Sequence, residues 1–452
     1  MDYRLLLFTI IFFSSAIVAQ NQDEYFDNNF IRYDNHIYKE NIRTVQIYRE
    51  GWPLSYPVLE LHSEDILHLC FDDFSSEIKD YSYTTIHCSH NWEPSDLQPQ
   101  EYISGFDQCH DFNYKYSFNT IDNFIHYSFS FPNENMKPKI SGNYIIKVFE
   151  DFNQENPVIT RRFYIVDSKI SIEAKIKQPF HFDYKTTHHE IDFSIDHSGL
   201  KINDPIDEIK VLVSQNFRMD NAIENLKPLF IKENILEYDY DEENLFQAGS
   251  EFRNFDLKSL RYQSEFIKDV ELLGDEYHVR LTDDISRSFG VYFTEADING
   301  RRLIYKQEAE NHDVEADYVW VYFNLPYDYP LTNGSLYVFG DFCDYQFKEE
   351  NKMVYNFETK SYQLKMFLKQ GYYNYQYVFL EDGKKSGDNS IIEGSHYETE
   401  NDYIIFVYHK DFRTGYDKLI GFSIFNSLRQ GGIEIEGPFK NFNLKIDKLF
   451  RK

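Results

Sequence analysis

Hydrophobic and polar residues alternate with a period of two along most of this chain. Ile125, Tyr127, Phe129 and Phe131 fall on one face, and His126, Ser128 and Ser130 on the other. The same rhythm sets Ile191, Phe193 and Ile195 against Asp192, Ser194 and Asp196. It also sets Tyr373, Tyr375, Tyr377 and Phe379 against Asn374, Gln376 and Val378. Successive side chains of a strand point to opposite faces, so each run predicts a strand with one buried and one wetter face, as in an antiparallel sheet. Tight-turn dipeptides separate such runs: Asn299-Gly300, Asn333-Gly334 and Asp382-Gly383. Helical periodicity is nearly absent; Asn221 to Phe230 is the one short candidate, and Pro228 interrupts it. The expected fold class is all-β.

Two joins divide the pattern. The strand ending in Phe163-Tyr164-Ile165-Val166 is followed by Asp167-Ser168 and a fresh alternation from Ile170. The polar stretch Gln307 to Asp317 precedes another strand from Val319 to Phe323. A chain of 452 residues is longer than one core usually supports. The expectation is three consecutive β-sandwich (immunoglobulin-like) domains, over 20–167, 168–312 and 313–452, after a leader over 1–19. That leader has Arg4, an apolar run from Leu5 to Phe13, and small residues Ser14, Ser15 and Ala16 before Ala19-Gln20. It predicts a secretory signal peptide cleaved after Ala19 or Gln20. The run is too short to span a bilayer, which needs about 20 apolar residues, and no cysteine at the break predicts a lipid anchor.

Composition sharpens this picture in two places. Aromatic residues make up 18% of the chain, with 41 Phe and 37 Tyr, and large planar side chains favour a pleated surface over a helix. The formal charge of −29 repels nucleic-acid phosphates and anionic headgroups, so neither a nucleic-acid partner nor direct membrane insertion is expected.

Candidate chemistry is sparse. Cys70, Cys88, Cys109 and Cys343 would meet an oxidising compartment after export. A pair drawn from the first three is expected to be oxidised, Cys88 with Cys109 being the candidate, while Cys343 is expected free and buried. Cys88, His90, Cys109 and His110 offer zinc-ligand chemistry, but the paired C-x-x-C spacing is missing, and period two puts His87 and Cys88 on opposite faces. The acidic run Asp239-Tyr240-Asp241-Glu242-Glu243 has Asn244 where a calcium loop needs its turn glycine. His188-His189-Glu190 lacks the helical i, i+4 spacing of a zinc protease. No nucleophile elbow, phosphate-binding glycine loop or dinucleotide fingerprint is present. The expectation is therefore no catalytic residue, no cofactor and no metal, with a hydrolase of unrecognised type the remote alternative.

Leu336-Tyr337-Val338-Phe339-Gly340-Asp341-Phe342 and the strand Gly371 to Phe379 resemble the early-set immunoglobulin-like modules that include glycogen- and starch-binding domains. That resemblance implies a glycan-binding alternative, although Trp52, Trp92 and Trp320 all fall outside the pattern.

A longer resemblance runs through the whole chain. Its first part comprises Tyr81-Ser82-Tyr83, His87-Cys88-Ser89-His90-Asn91-Trp92, Pro94-Ser95-Asp96-Leu97 and Glu101-Tyr102-Ile103-Ser104-Gly105-Phe106. Tyr116 to Thr120, Phe131-Pro132-Asn133-Glu134, Ser141-Gly142-Asn143-Tyr144 and Arg161-Arg162-Phe163-Tyr164 follow. Glu251-Phe252-Arg253-Asn254-Phe255-Asp256, Ser259-Leu260-Arg261, Asp317 to Val321 and Gly371 to Tyr375 continue it. Together these resemble the plug protein family of the type IX secretion system, found in Bacteroidetes and formerly catalogued as a domain of unknown function. The resemblance implies a non-enzymatic periplasmic protein associated with the outer-membrane translocon β-barrel, closing its periplasmic opening when no cargo passes. It carries over no catalytic or binding residue. A releasable cap should make a polar, wet contact of moderate area.

Overall fold

The computed structural model describes residues 30–411, 413–429 and 432–433. The expected signal peptide lies outside them. The described chain is all-β, with four short α-helices such as Pro99–Tyr102 and His312–Glu315 among the strands.

The first sandwich pairs two sheets. One runs Ile42–Arg49, Leu67–Asp73, Ile125–Phe131, Asn113–Tyr116 in hydrogen-bonded order. The other runs His36–Ile37, Pro157–Val166, Gly142–Glu150, Tyr81–Cys88, with Val58–Glu60 joining Pro157–Val166 in parallel. Phe71, Tyr83, Phe129, Tyr144 and Phe163 meet in the core between them. Ile125, Tyr127, Phe129 and Phe131 are all buried there, on the face the alternation predicts.

The second sandwich closes over a long distance in sequence. Its first sheet holds Ser171–Lys177, His188–Asp196, Ile235–Tyr238 and Phe230–Lys232, with Leu245–Gln247 against His188–Asp196. Its second holds Ile209–Gln215 next to Asp402–Asp411, followed by Tyr416–Asn426. Ile191, Phe193, Val211 and Val213 pack on Tyr403, Ile405 and Val407. The third sandwich is the stretch between. Arg253–Asp256, Gly371–Glu381, Arg302–Ile304 and Gly334–Phe339 face a sheet of Ile267–Leu273, Glu276–Leu281, Tyr318–Pro326, Ser361–Lys369 and Val354–Asn356.

The expected cut between 168–312 and 313–452 therefore gives way to an insertion. Ile209–Gln215 has an edge and an Ile/Val face to satisfy; Asp402–Asp411 supplies the ladder beside it, and Ile191, Phe193 and Ile195 of the opposite sheet cover the face. The polar stretch Gln307 to Asp317 is not a linker. It folds within the third sandwich, and its helix His312–Glu315 meets the first, where Phe118 N donates to Val314 O at 2.8 Å. The short helix considered from Asn221 is absent as well: Ile223–Glu224 and Phe230–Lys232 are strands.

The wetter faces also differ from expectation. Asn374 and Gln376 are as buried as the tyrosines beside them. The Asn374 Oδ1 accepts from Ile298 N at 2.6 Å, and the Gln376 Oε1 accepts from Asn389 Nδ2 at 2.9 Å. Specific partners replace water at the two amide oxygens, whereas Asn374 Nδ2 and Gln376 Nε2 are buried without a hydrogen-bond partner.

Candidate functional site

The cluster around His87 to His90 is structural. His87 Nδ1 lies 2.9 Å from Ser95 Oγ, and its ring packs on Gly142. Gly142 has φ +149°, and a Cβ there would collide with the imidazole, so the Ser141-Gly142-Asn143 run is needed where it is. Burial pushes the His87 imidazole down to about 4. His90 turns to the second sandwich, its Nδ1 lying 2.7 Å from Asp417 Oδ2. Trp92, at φ +66°, lies under the Arg162 guanidinium at 4.3 Å. These four residue types sit together to close a turn at a domain junction.

The expected Cys88–Cys109 disulfide is not formed; all four cysteines are buried free thiols. Cys109 bridges to Tyr83 and packs in the core of the first sandwich. Cys88 lies five residues further along the same strand, in the cluster shared with the second sandwich. Five residues of strand span about 16 Å, far beyond the roughly 7 Å that a disulfide allows between Cα atoms. Burial pushes the Cys88 thiol up to about 12 and Cys343 up to about 11. Such thiols are poor nucleophiles at neutral pH. Nor are Cys88, His90, Cys109 and His110 drawn together: each has the separate surroundings just given, and His110 meets Phe152 edge to face.

Among the described residues, one group of three acidic side chains converges, Glu190, Asp192 and Asp239. The Lys177 ammonium already sits among them, 3.0 Å from Glu190 and in contact with Asp192. The expected sugar-stacking strand is likewise committed elsewhere. Tyr373, Tyr375, Tyr377 and Phe379 are buried in the core of the third sandwich and offer no open aromatic platform.

What the sequence did not reveal is how the three sandwiches are joined. Asp72, on the first, and Lys369, on the third, are each 1% exposed and meet at 2.5 Å. Tyr318 OH donates to the same Asp72 oxygen at 2.6 Å, and Thr44 Oγ1 lies 2.6 Å from that hydroxyl. His126 Nδ1 lies 2.7 Å from the other oxygen. Burial alone would raise the Asp72 carboxyl; the Lys369 ammonium and the His126 contact outweigh it and hold it below the usual carboxylate range. The polar face of Ile125–Phe131 thus faces a neighbour, not water. Arg302 Nη2 donates to Val45 O at 2.7 Å, and Gln346 Nε2 to Asn35 O at 3.0 Å, completing this seam.

The first and second sandwiches join through an apolar layer. Val58, Cys88, Ile145 and Tyr164 pack on Leu212, Phe406, Leu419 and Phe422. Tyr408 OH donates to Asn143 Oδ1 at 2.9 Å across it. Between second and third, Asn299 Nδ2 donates to Asp402 Oδ2 at 2.9 Å. A cavity of about 650 Å³ remains where all three meet, lined in part by Arg161, Arg301, Arg302, Asp341 and Asp344. Its guanidinium and carboxylate groups face one another, as in Arg161 with Asp344 at 3.7 Å and Arg302 with Asp341 at 3.6 Å. The Arg161–Asp344 pair is largely buried while Asp341 is 43% exposed, and a buried pair fixes relative orientation more than it adds net stability. The arrangement yields one interlocked body rather than three beads on a string.

The motif residues that run through the chain hold this body together. Arg253 Nε donates to Glu393 at 3.0 Å and its Nη1 to Asp284 at 2.8 Å. Glu393 is fully buried; burial would raise its carboxyl, but Arg253 and Arg287 hold it down.

Known proteins share this architecture. A crystal structure of a hypothetical protein from Parabacteroides merdae superposes with a TM-score of 0.85 at 33% identity, over 88% of this chain and 100% of that one. A biofilm-associated protein BSP domain gives a TM-score of 0.16 at 9% identity, over 86% of this chain and 59% of that one, and carries no argument. No curated protein matches the chain. Residues 42–167, nearly the whole first sandwich, match the family described as the type 9 secretion system plug protein 1st domain. The ordered motifs, the first-sandwich match and the shared three-sandwich fold agree, and the chain belongs to the type 9 secretion system plug protein family.

Proposed function

We propose that this protein works in the periplasm as a non-enzymatic cap, binding the outer-membrane translocon barrel of the type IX secretion system and sealing its periplasmic opening. The family match carries the reading, since it assigns the chain a role connected with type IX secretion. Physical chemistry supports the finer claim. A large barrel encloses an aqueous lumen, and an idle one leaks unless something covers an end. A cover must be wider than a chain that could be threaded, and stiff enough not to be squeezed through. A compact body of 452 residues has a radius of gyration of about 22 Å. The Asp72–Lys369 hub and the apolar layer between the first two sandwiches give it the stiffness. A charge of −29 keeps it soluble and off anionic headgroups, which suits a cap that must come off again.

The test is association. Tagged protein isolated from outer membranes solubilised in gentle detergent at low salt should bring down a very large β-barrel. A preparation that never contains such a barrel, while the protein itself is recovered folded, would refute the capping function.

A further inference from the structure

Burial accounts for most of the aromatic side chains, but one face breaks the rule. Phe289 is 102% exposed, Val291 94% and Phe293 77%, and on a second segment Phe180 is 97% and Phe182 88% exposed. Scattered exposed apolar residues need no explanation; several such residues on adjoining segments do. Both segments are tied to the same stretch, Ile392 to Tyr397. Arg287 N donates to Ile392 O at 2.7 Å, and the Tyr292 ring lies 5.8 Å from that of His396. On the other side, Tyr397 N donates to Thr186 O at 2.9 Å.

The outward set is not the product of a loose loop. Arg287 Nε and Nη2 both donate to Glu393, at 2.9 and 2.7 Å, and Tyr292 OH donates to Glu251 at 2.6 Å. Tyr292 is tied inward, and Val291 and Phe293 on either side of it are turned outward, the alternation of an extended segment; Phe289 stands just before, in the turn that Gly290 N closes on Arg287 O at 2.8 Å. Among the described residues, no backbone–backbone hydrogen bond is made by the N–H and C=O groups from Val291 to Ala296. An apolar face and an open ladder together form the template onto which an extended segment adds.

Charge decides what kind of segment. On residues 180–187, 283–297 and 392–400 the exposed charges are Asp183, Asp283 and Glu398 against Lys185, while Asp284 and Glu393 are tied to Arg253 and Arg287 and Asp297 is buried. A second copy of this chain, at −29, would bring like charge to an acidic face. We propose that the Phe289-Val291-Phe293 strip, with Phe180 and Phe182 on the segment tied to the same stretch, docks an extended segment of a partner protein. That segment pairs as an added strand, sets alternate apolar side chains on the strip, and carries lysine or arginine at its flanks. Naming that partner as the translocon barrel rests on the capping function proposed above; the surface itself does not.

A photo-crosslinking amino acid placed in the full-length protein in cells tests the surface, with one position at Phe289 and one at Phe182. Phe106 and Phe357, 65% and 76% exposed on other faces, serve as controls. The expected result is an adduct with the very large barrel from Phe289 and Phe182, mapping to a peptide with alternating apolar residues and flanking Lys or Arg. Barrel adducts from the control positions alone would overturn the surface and leave the capping function standing. An adduct of doubled mass would overturn it in favour of a second copy, and an internal link to residues 434–452 would overturn it in favour of the chain's own C-terminal segment. Absence of any barrel adduct from all four positions would overturn the identification with the barrel and count against capping itself. A second measurement uses the double variant Phe289→Asp, Phe293→Asp, which adds charge at exposed positions and should keep the wild-type melting temperature. Its recovery of the barrel should fall at least tenfold; unchanged recovery would overturn the proposal.

Discussion

Replacing Lys369 by Met removes the cation from a site that contains no water-accessible route to compensate it. Asp72 would keep the Tyr318 hydroxyl and the His126 imidazole, at 2.6 and 2.7 Å, but its charge would be buried without the ammonium that sits against it. Both members of the pair are 1% exposed, so solvent screening does not soften the loss. Removing one partner of a buried pair costs about 3–5 kcal/mol, whereas neutralising both costs far less. Lys369→Met should therefore lower stability by that amount at pH 7, and Asp72→Asn combined with Lys369→Met should recover at least about 1 kcal/mol of it. Urea unfolding, followed by tryptophan fluorescence, measures both. The sign with pH follows from the depressed Asp72 carboxyl. A carboxylate held below its unfolded value of about 3.9 stabilises above that pH and loses its contribution as the pH falls through the folded value. The gap between wild type and Lys369→Met should thus be full at pH 7 and shrink below about pH 4. A Lys369→Met midpoint equal to wild type at pH 7, with no coupling in the double-mutant cycle, would refute the idea that this hub locks the first and third sandwiches.

Three further outcomes follow from the same geometry. Gly142→Ala should cost about 1–3 kcal/mol, because φ +149° is strained for alanine and the Cβ meets His87, while Gly51→Ala, at φ +77° with open space around it, should cost less; thermal unfolding of the two variants compares them. Burial pushes His87 and His189 down to about 4, so both stay neutral in the folded state while the unfolded chain takes up protons below about 6.5. Stability should fall by up to about 3 kcal/mol for each as the pH drops from 6.5 to 4, and His189→Gln should flatten that slope in urea titrations at several pH values. Thiol reagents should label none of the four buried cysteines in the native protein and all four after denaturation; a disulfide-linked peptide joining Cys88 and Cys109 would contradict this.

Local pattern made much of this molecule legible. The alternation from Ile125 to Phe131 and from Ile191 to Ile195 marks strands whose apolar faces are core, and Asn299-Gly300 is a turn with φ +53° and +79°. Such features are written within a few residues, where side-chain period and turn chemistry act. The insertion was not legible. Ile209–Gln215 finds its partner almost two hundred positions later, in Asp402–Asp411, and nothing in either strand names the other. The same limit hid the hub. His126 reads as the polar face of a strand, and only the fold brings Asp72, Lys369 and Tyr318 together with it. Cysteine spacing misled for a related reason. Closeness in sequence put Cys88 and Cys109 within reach of a short loop, but register set Cys109 opposite Tyr83, five residues from Cys88 along the strand. The exposed strip was visible as Phe289, Val291 and Phe293 in alternation, a pattern indistinguishable from a buried strand until its neighbours are known.

Ion conductance through the purified translocon barrel in a planar bilayer tests the central claim most directly. Added to the periplasmic side, the wild-type protein should lower the conductance of each open barrel toward that of the bare bilayer, and should have no effect from the opposite side. Conductance that stays unchanged while the protein is demonstrably bound to the barrel would show that it associates without sealing, and would contradict the account.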